Sequence, residues 1–303
     1  MTVETAIPGI YPGNAHTGLP PLRRAGFGAM QLRKCMDNPQ HAVALLRRAI
    51  ELGVNHIDTA EFYGEGFVNR MIAQVLPEAP QLVIATKLGA EPAPGQPIPL
   101  RAAQRPEELR AGVEANLRTL RLEQLPVVYL RRLDVGPGLT AEGNQIVDMD
   151  DQLAVLTALR DQGKIGAIGL SAIDVDGLRR ALPAGIACVQ NAYSLLSRQY
   201  EPLLDLCVAE QIAWVPFFPL GGGPSFTQWP QVTAHPRVQE IAAGLGITPS
   251  QLGLAGLLAH RPNILLVAGT TSLAHLEENT AAAAIQLSPE TRAELETLAG
   301  DHA

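Results

Sequence analysis

Short apolar runs alternate along the chain with longer stretches that are apolar on one helical face. The first pairs are GFGAM with HAVALLRRAIELG, HIDTA with FVNRMIAQVL, and LVIATKL with PEELRAGVEANLRTL. A buried strand gives a short apolar run, whereas a helix packed on one side repeats its apolar residues roughly every three to four positions. The pattern therefore predicts a strand followed by a helix, repeated about eight times.

The later pairs continue this alternation without a linker or a shift in composition. They are VVYLR with DQLAVLTALRDQG, IGAIGLS with VDGLRRAL, CVQNAYS with YEPLLDLCVAEQ, IAWVPFFPL with PSQLGLAGLLAHR, and ILLVAGT with LAHLEENTAAAA. Such a series favours a closed parallel barrel over an open doubly wound sheet. The expected fold class is α/β, a (β/α)8 TIM barrel that forms a single domain over residues 1–303. Ser288 and Pro289 open a further helix, which we expect outside the barrel.

Two Pro/Gly-rich stretches follow the third and seventh predicted strands, at residues 89–100 and 219–230. We expect them to be loops that line a substrate mouth, because the loops after barrel strands meet at one face. Linkers between separate domains are the alternative interpretation.

Composition and charge exclude several function classes. Apolar residues make up 47% of the chain and charged residues 17%, which fits a globular protein rather than a disordered one. The net charge of −7 argues against nucleic acid or an anionic membrane as a partner. Neither a signal peptide nor an apolar run of about 20 residues is evident, so we expect no membrane span. Cys35, Cys188 and Cys207 lack the spacing of a disulfide framework or a metal site, and together these features favour the cytoplasm.

Three polar residues at neighbouring strand ends suggest proton-transfer chemistry. Asp58 and Tyr63 follow the second predicted strand, and Lys87 ends the third. A phenol has an ordinary pKa of about 10, so it gives up its proton at neutral pH only when a nearby cation stabilises the phenolate. Lys87 can supply that cation, and Asp58 can hold the lysine charged. Gly64 frees the backbone directly after the tyrosine.

Each of these residues also has a simpler interpretation on its own. Asp58 could cap a helix, Tyr63 could be part of an aromatic rim, and Lys87 could be a solvated strand end. A Schiff-base aldolase that uses Lys87 is the sharper competitor, because imine formation also needs a lysine of lowered pKa. That chemistry leaves Asp58 and Tyr63 without a role.

Six segments resemble the aldo-keto reductase family, in the family's order and over nearly the whole chain. They are GFGAMQL (26–32), GVNHIDTAEFYGEG (53–66), VIATKLG (83–89), GKIGAIGLS (163–171), VQNAYSLLSR (189–198) and VAGTTSLAHLEEN (267–279). The resemblance implies an oxidoreductase in which Tyr63 is the general acid and Lys87 and Asp58 activate it. The branch that it most resembles is the bacterial pyridoxal reductases, which implies reduction of pyridoxal to pyridoxine. Met30, Phe62, Phe218 and Trp229 could line a compact substrate pocket.

Arg131 departs from the family's pattern, which usually has a histidine at the end of the fourth strand. A permanently charged guanidinium could stabilise the tyrosinate or bind the carbonyl oxygen, but it cannot act as a neutral imidazole. An ion pair with Asp134 or another acid is the structural alternative. We include Arg131 among the candidate catalytic residues.

The resemblance implies NADPH as the cofactor, with NADH as the alternative. No GxGxxG follows the first strand, so the sequence does not indicate a Rossmann module. The expected cofactor contacts are Gly28, Met30, Ser171, Gln190, Phe217, Leu220, Gly269, Thr270, Thr271, Ser272, His275, Glu278 and Asn279. Among them, Ser171 and Gln190 would bind the carboxamide, although the asparagine usual beside the serine is Ala172. Phe217 would stack on the ring, with core packing as the alternative.

Residues 270–272 open a predicted helix, where backbone N–H groups suit a phosphate and N-capping is compatible with that role. The family often has lysine and arginine around the ribose 2′-phosphate, where this chain has Gly269 and His275. The expected partner is a small aldehyde. A module that binds the cofactor for sensing or regulation, with little turnover, is the alternative function.

Overall fold

The computed structural model describes residues 10–11, 19–95, 99–136, 138–222 and 229–299. The strands are β1 (Ile10–Tyr11), β2 (Leu22–Arg23), β3 (Phe27–Gly28), β4 (His56–Asp58), β5 (Val83–Pro92), β6 (Leu100–Ala103), β7 (Leu125–Arg131), β8 (Ile165–Ser171), β9 (Ile186–Gln190) and β10 (Ala213–Trp214). The α-helices are α1 (Pro39–Glu51), α2 (Phe67–Val75), α3 (Pro106–Leu120), α4 (Met149–Asp161), α5 (Val175–Ala181), α6 (Glu201–Ala209), α7 (Pro236–Leu245), α8 (Pro249–His260), α9 (Leu273–Ala281) and α10 (Pro289–Thr297).

A parallel sheet forms most of the barrel wall. Its neighbours are, in order, β3, β4, β5, β7, β8, β9 and β10. Residues 264–266 close the barrel between the two outer strands. The amide of Gly26 donates to the carbonyl of Leu266 at 2.8 Å, and the amide of Leu265 donates to the carbonyl of Trp214 at 2.8 Å. The predicted α/β class and the (β/α)8 barrel are confirmed.

Alternation along each strand divides the core into an inner and an outer layer. Val127 and Tyr129 of β7 point into the barrel with other small and medium side chains. Val128 and Leu130 of the same strand point outward into the larger cluster beneath the helices. This two-residue period is what a strand that is buried on both faces requires. Successive residues of a strand therefore face either the barrel interior or the surrounding helices. The same alternation applies at the strand ends that carry the predicted site residues.

Helices cover the outside of the barrel, and their ends follow local sequence signals. The Asp148 side chain accepts a hydrogen bond from the Asp150 amide at the start of α4. Thr248 and Gln251 form a reciprocal capping box at the start of α8. The predicted additional C-terminal helix is α10, which packs on α8.

The structure corrects the loop predicted at residues 89–100, and both predicted loops lie partly outside the described residues. Residues 89–92 continue β5, and Gly89 to Pro92 pair antiparallel with β6, so the stretch 89–100 belongs largely to a hairpin rather than an irregular loop. Residues 96–98 and 223–228 lie outside the described ranges. The first fourteen residues, in which we saw no signal peptide, also lie outside them except for β1.

Within the described ranges, no single helix is long and apolar enough to cross a bilayer, and α7 with α8 meets the test only as a pair bent by 93°. The same ranges hold no group of three His, Cys, Asp or Glu side chains placed to bind a metal ion. The three cysteines are buried and form no disulfide.

Candidate active site

The strand ends bring the predicted catalytic residues to one face of the barrel. Asp58 is the last residue of β4, and Lys87 and Arg131 lie on β5 and β7. These three strands are neighbours in the sheet. Tyr63 lies on the loop after β4, and all four residues line one cleft. The structure therefore brings together the predicted catalytic set.

Lys87 and Asp58 form a buried ion pair at the base of this cleft. Lys87 is 7% exposed and Asp58 6%. The Lys87 ammonium donates to Asp58 Oδ1, and it donates a second hydrogen bond of 3.0 Å to the backbone carbonyl of Thr59. Burial alone lowers the pKa of Lys87, but attraction to Asp58 and Tyr63, with hydrogen bonding, outweighs it and raises the pKa. Lys87 is thus charged at neutral pH.

Tyr63 lies directly over this cation. Lys87 Nζ is 5.1 Å from the centroid of the tyrosine ring, within the range of a cation–π contact. The ring of Phe62 packs edge-on against the same tyrosine at 5.2 Å. Gly64 has a φ of +61°, a left-handed conformation that glycine adopts without strain. The turn after β4 can therefore reverse sharply and hold the phenol above the ammonium.

Gln190 ends β9 and contacts the other oxygen of the same carboxylate. Its amide Nε2 donates to Asp58 Oδ2 at 3.0 Å, a contact that the sequence did not predict. Its side-chain oxygen Oε1 is buried and has no hydrogen-bond partner among the described residues. A buried carbonyl oxygen without a donor is unfavourable, so this atom suits an incoming N–H group. Gln190 therefore connects the Asp58–Lys87 ion pair with the predicted cofactor site.

β8 ends at Ser171, which is buried and lines the cleft, and a turn follows this residue. Ala172 follows it with a φ of +55°, a conformation in which asparagine is favoured over alanine. Asn191, which directly follows β9, holds this turn in place. Its Nδ2 donates to the Ile173 carbonyl at 2.7 Å, and its Oδ1 accepts from the Ile173 amide at 3.2 Å. The missing asparagine noted at position 172 is thus replaced by alanine without loss of the turn.

Arg131 does not form the ion pair with Asp134 that we considered as an alternative. The adjacent Arg132 takes that acid, with Nε 3.1 Å from Asp134 Oδ2. The desolvated guanidinium of Arg131 has a pKa below its ordinary value, partly offset by attraction to Tyr63. It lines the cleft beside the tyrosine.

A buried polar network supports the strand ends from outside the barrel, and sequence reasoning missed it. Thr59 and Thr86, each next to a predicted catalytic residue, donate to Asn69 Oδ1 at 2.8 Å and to Asn116 Oδ1 at 2.6 Å. Asn69 Nδ2 donates to the same Asn116 oxygen at 3.0 Å and to Thr119 Oγ1 at 3.0 Å. The network joins β4 and β5 to α2 and α3. It fixes the strand residues from which Asp58 and Lys87 project inward.

The closing segment approaches the first strand through two glycines. A Cβ on Gly28 would lie 2.2 Å from the Val267 carbonyl oxygen, and one on Gly269 would lie 2.3 Å from the Gly28 carbonyl oxygen. Both positions therefore require glycine for barrel closure. The same two residues and Asn279 line the cleft.

The other residues predicted in the closing segment do not line the described cleft. The Ser272 amide donates to Thr270 Oγ1 at 3.0 Å, and Ser272 caps α9. The carbonyl of Thr271 is 2.7 Å from a ring nitrogen of His41. The Glu278 carboxylate accepts from Thr248 at 3.5 Å. Capping is thus present at this helix start, and His275 is exposed on its first turn.

The cleft as a whole has a volume of about 1030 Å³, large for a single small aldehyde. Met30, Phe217 and Leu220, all predicted cofactor contacts, line it. Phe62 and Phe218, suggested for the substrate pocket, line it as well. Trp229 is instead buried and is not among the described lining residues. Arg33, Met36 and Glu65 also line the mouth, which the sequence did not indicate; Arg33 and Met36 lie on and directly after a short 3-10 helix that follows β3, and Glu65 lies just before α2.

Residues 24–299 match the sequence profile of the Aldo/keto reductase family, which is most of the chain. This chain belongs to the aldo/keto reductase family. It is therefore an oxidoreductase of that family, and the predicted enzyme class is confirmed. The arrangement of Asp58, Lys87 and Tyr63 at one barrel face is compatible with this membership.

Individual members show the same relationship over nearly the full length. Pyridoxine 4-dehydrogenase of Escherichia coli strain K12 is 41% identical over 287 residues, which cover 92% of this chain and 96% of that protein. An uncharacterized oxidoreductase of Schizosaccharomyces pombe is 31% identical over 304 residues, which cover 97% of this chain and 92% of that one. An aldo-keto reductase of Klebsiella pneumoniae, solved in complex with NADPH, has a TM-score of 0.78 at 22% identity and covers 97% of this chain and 95% of its own. The solved relative confirms the fold.

Proposed function

We propose that this aldo/keto reductase is an NADPH-dependent aldehyde reductase whose substrate is pyridoxal, reduced to pyridoxine. The buried Asp58–Lys87 ion pair beneath the Tyr63 phenol is the observation that carries the reaction type. The 41% identity to E. coli pyridoxine 4-dehydrogenase supports the substrate. The NADPH complex of the Klebsiella relative supports the cofactor.

The residues in the cleft fit a nicotinamide cofactor. The unpartnered oxygen of Gln190 is an acceptor for a carboxamide N–H, and Ser171 can bind the same amide. Phe217 can stack on the ring, while the backbone N–H groups at residues 269–271, which begin at the cleft-lining Gly269, can hold a phosphate; the Ser272 amide already donates to Thr270 Oγ1. When bound, the reduced cofactor supplies a hydride. NADH is the alternative, because Gly269 and His275 replace the family's usual basic residues near the ribose.

Tyr63 delivers the proton to the carbonyl oxygen of the substrate. The Lys87 ammonium lowers the energy of the phenolate that remains, and Asp58 keeps this ammonium charged against the effect of burial. Removal of water from the ion pair strengthens both interactions. Without a histidine at position 131, Tyr63 is the single proton donor in this scheme.

The ion pair disfavours the aldolase alternative. Imine formation needs a neutral amine, whereas the pKa of Lys87 is raised and its ammonium is bonded to Asp58 and Thr59. Borohydride treatment in the presence of substrate should therefore leave Lys87 unmodified.

A regulatory module that binds the cofactor with little turnover is the second candidate function. The altered residue Arg131 favours it, since the family's usual histidine is absent. The complete Asp58–Lys87–Tyr63 group argues against it, because binding the cofactor alone does not need a proton donor held over a buried cation.

Loss of absorbance from the reduced nicotinamide tests the proposal. We expect turnover with pyridoxal, with a higher kcat/KM for NADPH than for NADH and a lower one for unrelated aldehydes. Tight binding of NADPH without turnover of any aldehyde would favour the regulatory module. Turnover of other aldehydes but not of pyridoxal would retain the reductase and reject this substrate.

We also propose that residues 1–303 form one domain and that the enzyme works in the cytoplasm. The continuous barrel formed by the described residues supports the first point. The buried cysteines without disulfides support the second, since reducing compartments maintain free thiols.

A further inference from the structure

The Arg131 guanidinium lines the cleft, and no carboxylate among the described residues pairs with it. Its guanidinium forms no ion pair and no side-chain hydrogen bond with any of them, although it interacts with the Tyr63 phenol. Asp134, which is nearest in sequence, is held by Arg132, whose Nη2 also donates to Asp134 Oδ1 at 3.1 Å. A desolvated charge without a counter-ion is unfavourable, so binding of an anion next to this guanidinium is favourable.

The other charges that line the cleft do not compensate this guanidinium. Lys87 and Asp58 neutralise each other at the base. Arg33 and Glu65 are both exposed at the mouth, where water screens their charges. Arg131 therefore gives the interior of the described cleft an uncompensated positive charge next to the proton donor.

The backbone that carries Arg131 is held in place from outside the cleft. The Gln104 amide Nε2 donates to the carbonyl of Arg131 at 2.8 Å and to the carbonyl of Gly89 at 2.6 Å. A Cβ on Gly89 would lie 2.4 Å from the Arg131 carbonyl oxygen, so the hairpin and β7 meet there in close contact. Gln152 donates in turn to Gln104 Oε1 at 2.9 Å. The strand end is thus fixed, as a residue that recognises substrate requires.

We propose that Arg131 selects carbonyl substrates that carry an ionised oxygen close to the reacting carbonyl, such as an ortho carboxylate or phenolate. A guanidinium offers several N–H donors in a planar fork, which suits two oxygens better than a single neutral one. This inference rests on the proposed reductase function. Pyridoxal belongs to the class, because it has an ionisable hydroxyl on the ring carbon next to its aldehyde.

The competing role for Arg131 is action on the reacting oxygen alone. In that case its removal should slow all aldehydes by a similar factor, whatever their neighbouring group. Recognition of the neighbouring anion instead predicts a loss confined to anionic substrates and expressed mainly in KM. Matched substrates separate the two roles.

The experiment compares 2-carboxybenzaldehyde with its neutral methyl ester, and 4-carboxybenzaldehyde serves as a positional control. The parent is measured beside Arg131→Met, Arg131→Lys and the control Arg179→Met, which changes an exposed arginine on α5 that does not line the cleft. We expect Arg131→Met to lose about tenfold to a hundredfold in kcat/KM on the ortho carboxylate, the range for a hydrogen bond to a charged group, and little on the ester. Arg131→Lys should lose less, and Arg179→Met should resemble the parent.

Equilibrium binding keeps the inference testable without turnover. Calorimetric titration of 2-hydroxybenzoate into the NADPH-loaded protein should show binding to the parent and about tenfold weaker binding to Arg131→Met. Equal losses for acid and ester, or equal binding of 2-hydroxybenzoate by both proteins, would overturn the inference. Absence of turnover with retained selective anion binding would instead overturn the proposed reductase function and leave the anion site standing.

Discussion

Replacing Thr59 by valine should destabilise the protein more than replacing Thr86, although both hydroxyls belong to one buried network. The two threonines donate to Asn69 Oδ1 and Asn116 Oδ1, at 2.8 and 2.6 Å. The Asn116 oxygen keeps a second donor when Thr86 is changed, namely the Asn69 amide at 3.0 Å. Among the described residues, Thr59 is the donor on which the Asn69 oxygen depends.

The magnitudes follow from which atom is left without a partner. Thr86→Val removes one hydrogen bond and leaves its acceptor partnered, which costs about 1 kcal/mol. Thr59→Val also leaves a buried amide oxygen unsatisfied, an added penalty of about 1–3 kcal/mol, for a total of about 2–4 kcal/mol. Thr86 lies on β5, where valine is favoured, and Thr59 directly follows β4, so backbone propensity should contribute little to either loss.

Urea unfolding at neutral pH measures this difference, with the free energies compared only if the m-values agree. Thr280→Val is the matched control, because its partly buried hydroxyl donates to a helical carbonyl outside the network. Equal losses for the Thr59 and Thr86 variants, or a larger loss for the Thr86 variant, would refute the reasoning about the unsatisfied oxygen.

Three further predictions follow from the charges and contacts of the described residues. Asp58→Asn removes the charge that raises the pKa of Lys87, so burial should lower that pKa and move the alkaline limb of the kcat/KM profile to lower pH; an unmoved limb would contradict this. Burial alone would raise the pKa of Glu108, but hydrogen bonds from Arg105, Gln145 and Arg101 bring it to about 2. This depressed pKa stabilises the fold above the unfolded value of about 4.3 and loses its effect as pH falls toward about 2, so the urea midpoint of Glu108→Gln should vary less over that window than the parent's. Gly28→Ala would place a Cβ 2.2 Å from the Val267 carbonyl oxygen, and we expect a loss of about 1–3 kcal/mol in thermal or urea unfolding, whereas a parental midpoint would show that the barrel closes without this contact.

The sequence was sufficient to predict the barrel and the meeting of Asp58, Lys87 and Tyr63 at one of its faces. Alternation of strand and helix patterns predicts the architecture, and strand-end positions predict that Asp58 and Lys87 meet, as the structure shows. Turn chemistry placed Tyr63 above them, because Gly64 takes a left-handed conformation. These features depend on local patterns and on one topological rule, so they can be predicted from sequence.

Features that depend on docking between distant segments could not be predicted in this way. Asn69 and Asn116 lie on different helices, and as isolated buried amides they carried no signal of their shared contact. The hairpin at 89–103 was missed because its prolines and glycines are typical of a loop. At residues 131 and 132, by contrast, strand alternation could have shown that the two arginines point to opposite faces. Only one of them can then pair with Asp134.

The measurement that tests the central claim most directly is hydride transfer by Tyr63→Phe, with Tyr200→Phe as the control. NADPH oxidation with pyridoxal is followed together with the Kd of NADPH. We expect Tyr63→Phe to lose about a hundredfold to ten-thousandfold in kcat, the contribution of a general acid, while the Kd stays near that of the parent and Tyr200→Phe keeps its activity. Parental turnover by Tyr63→Phe would contradict the assignment of the tyrosine as the proton donor.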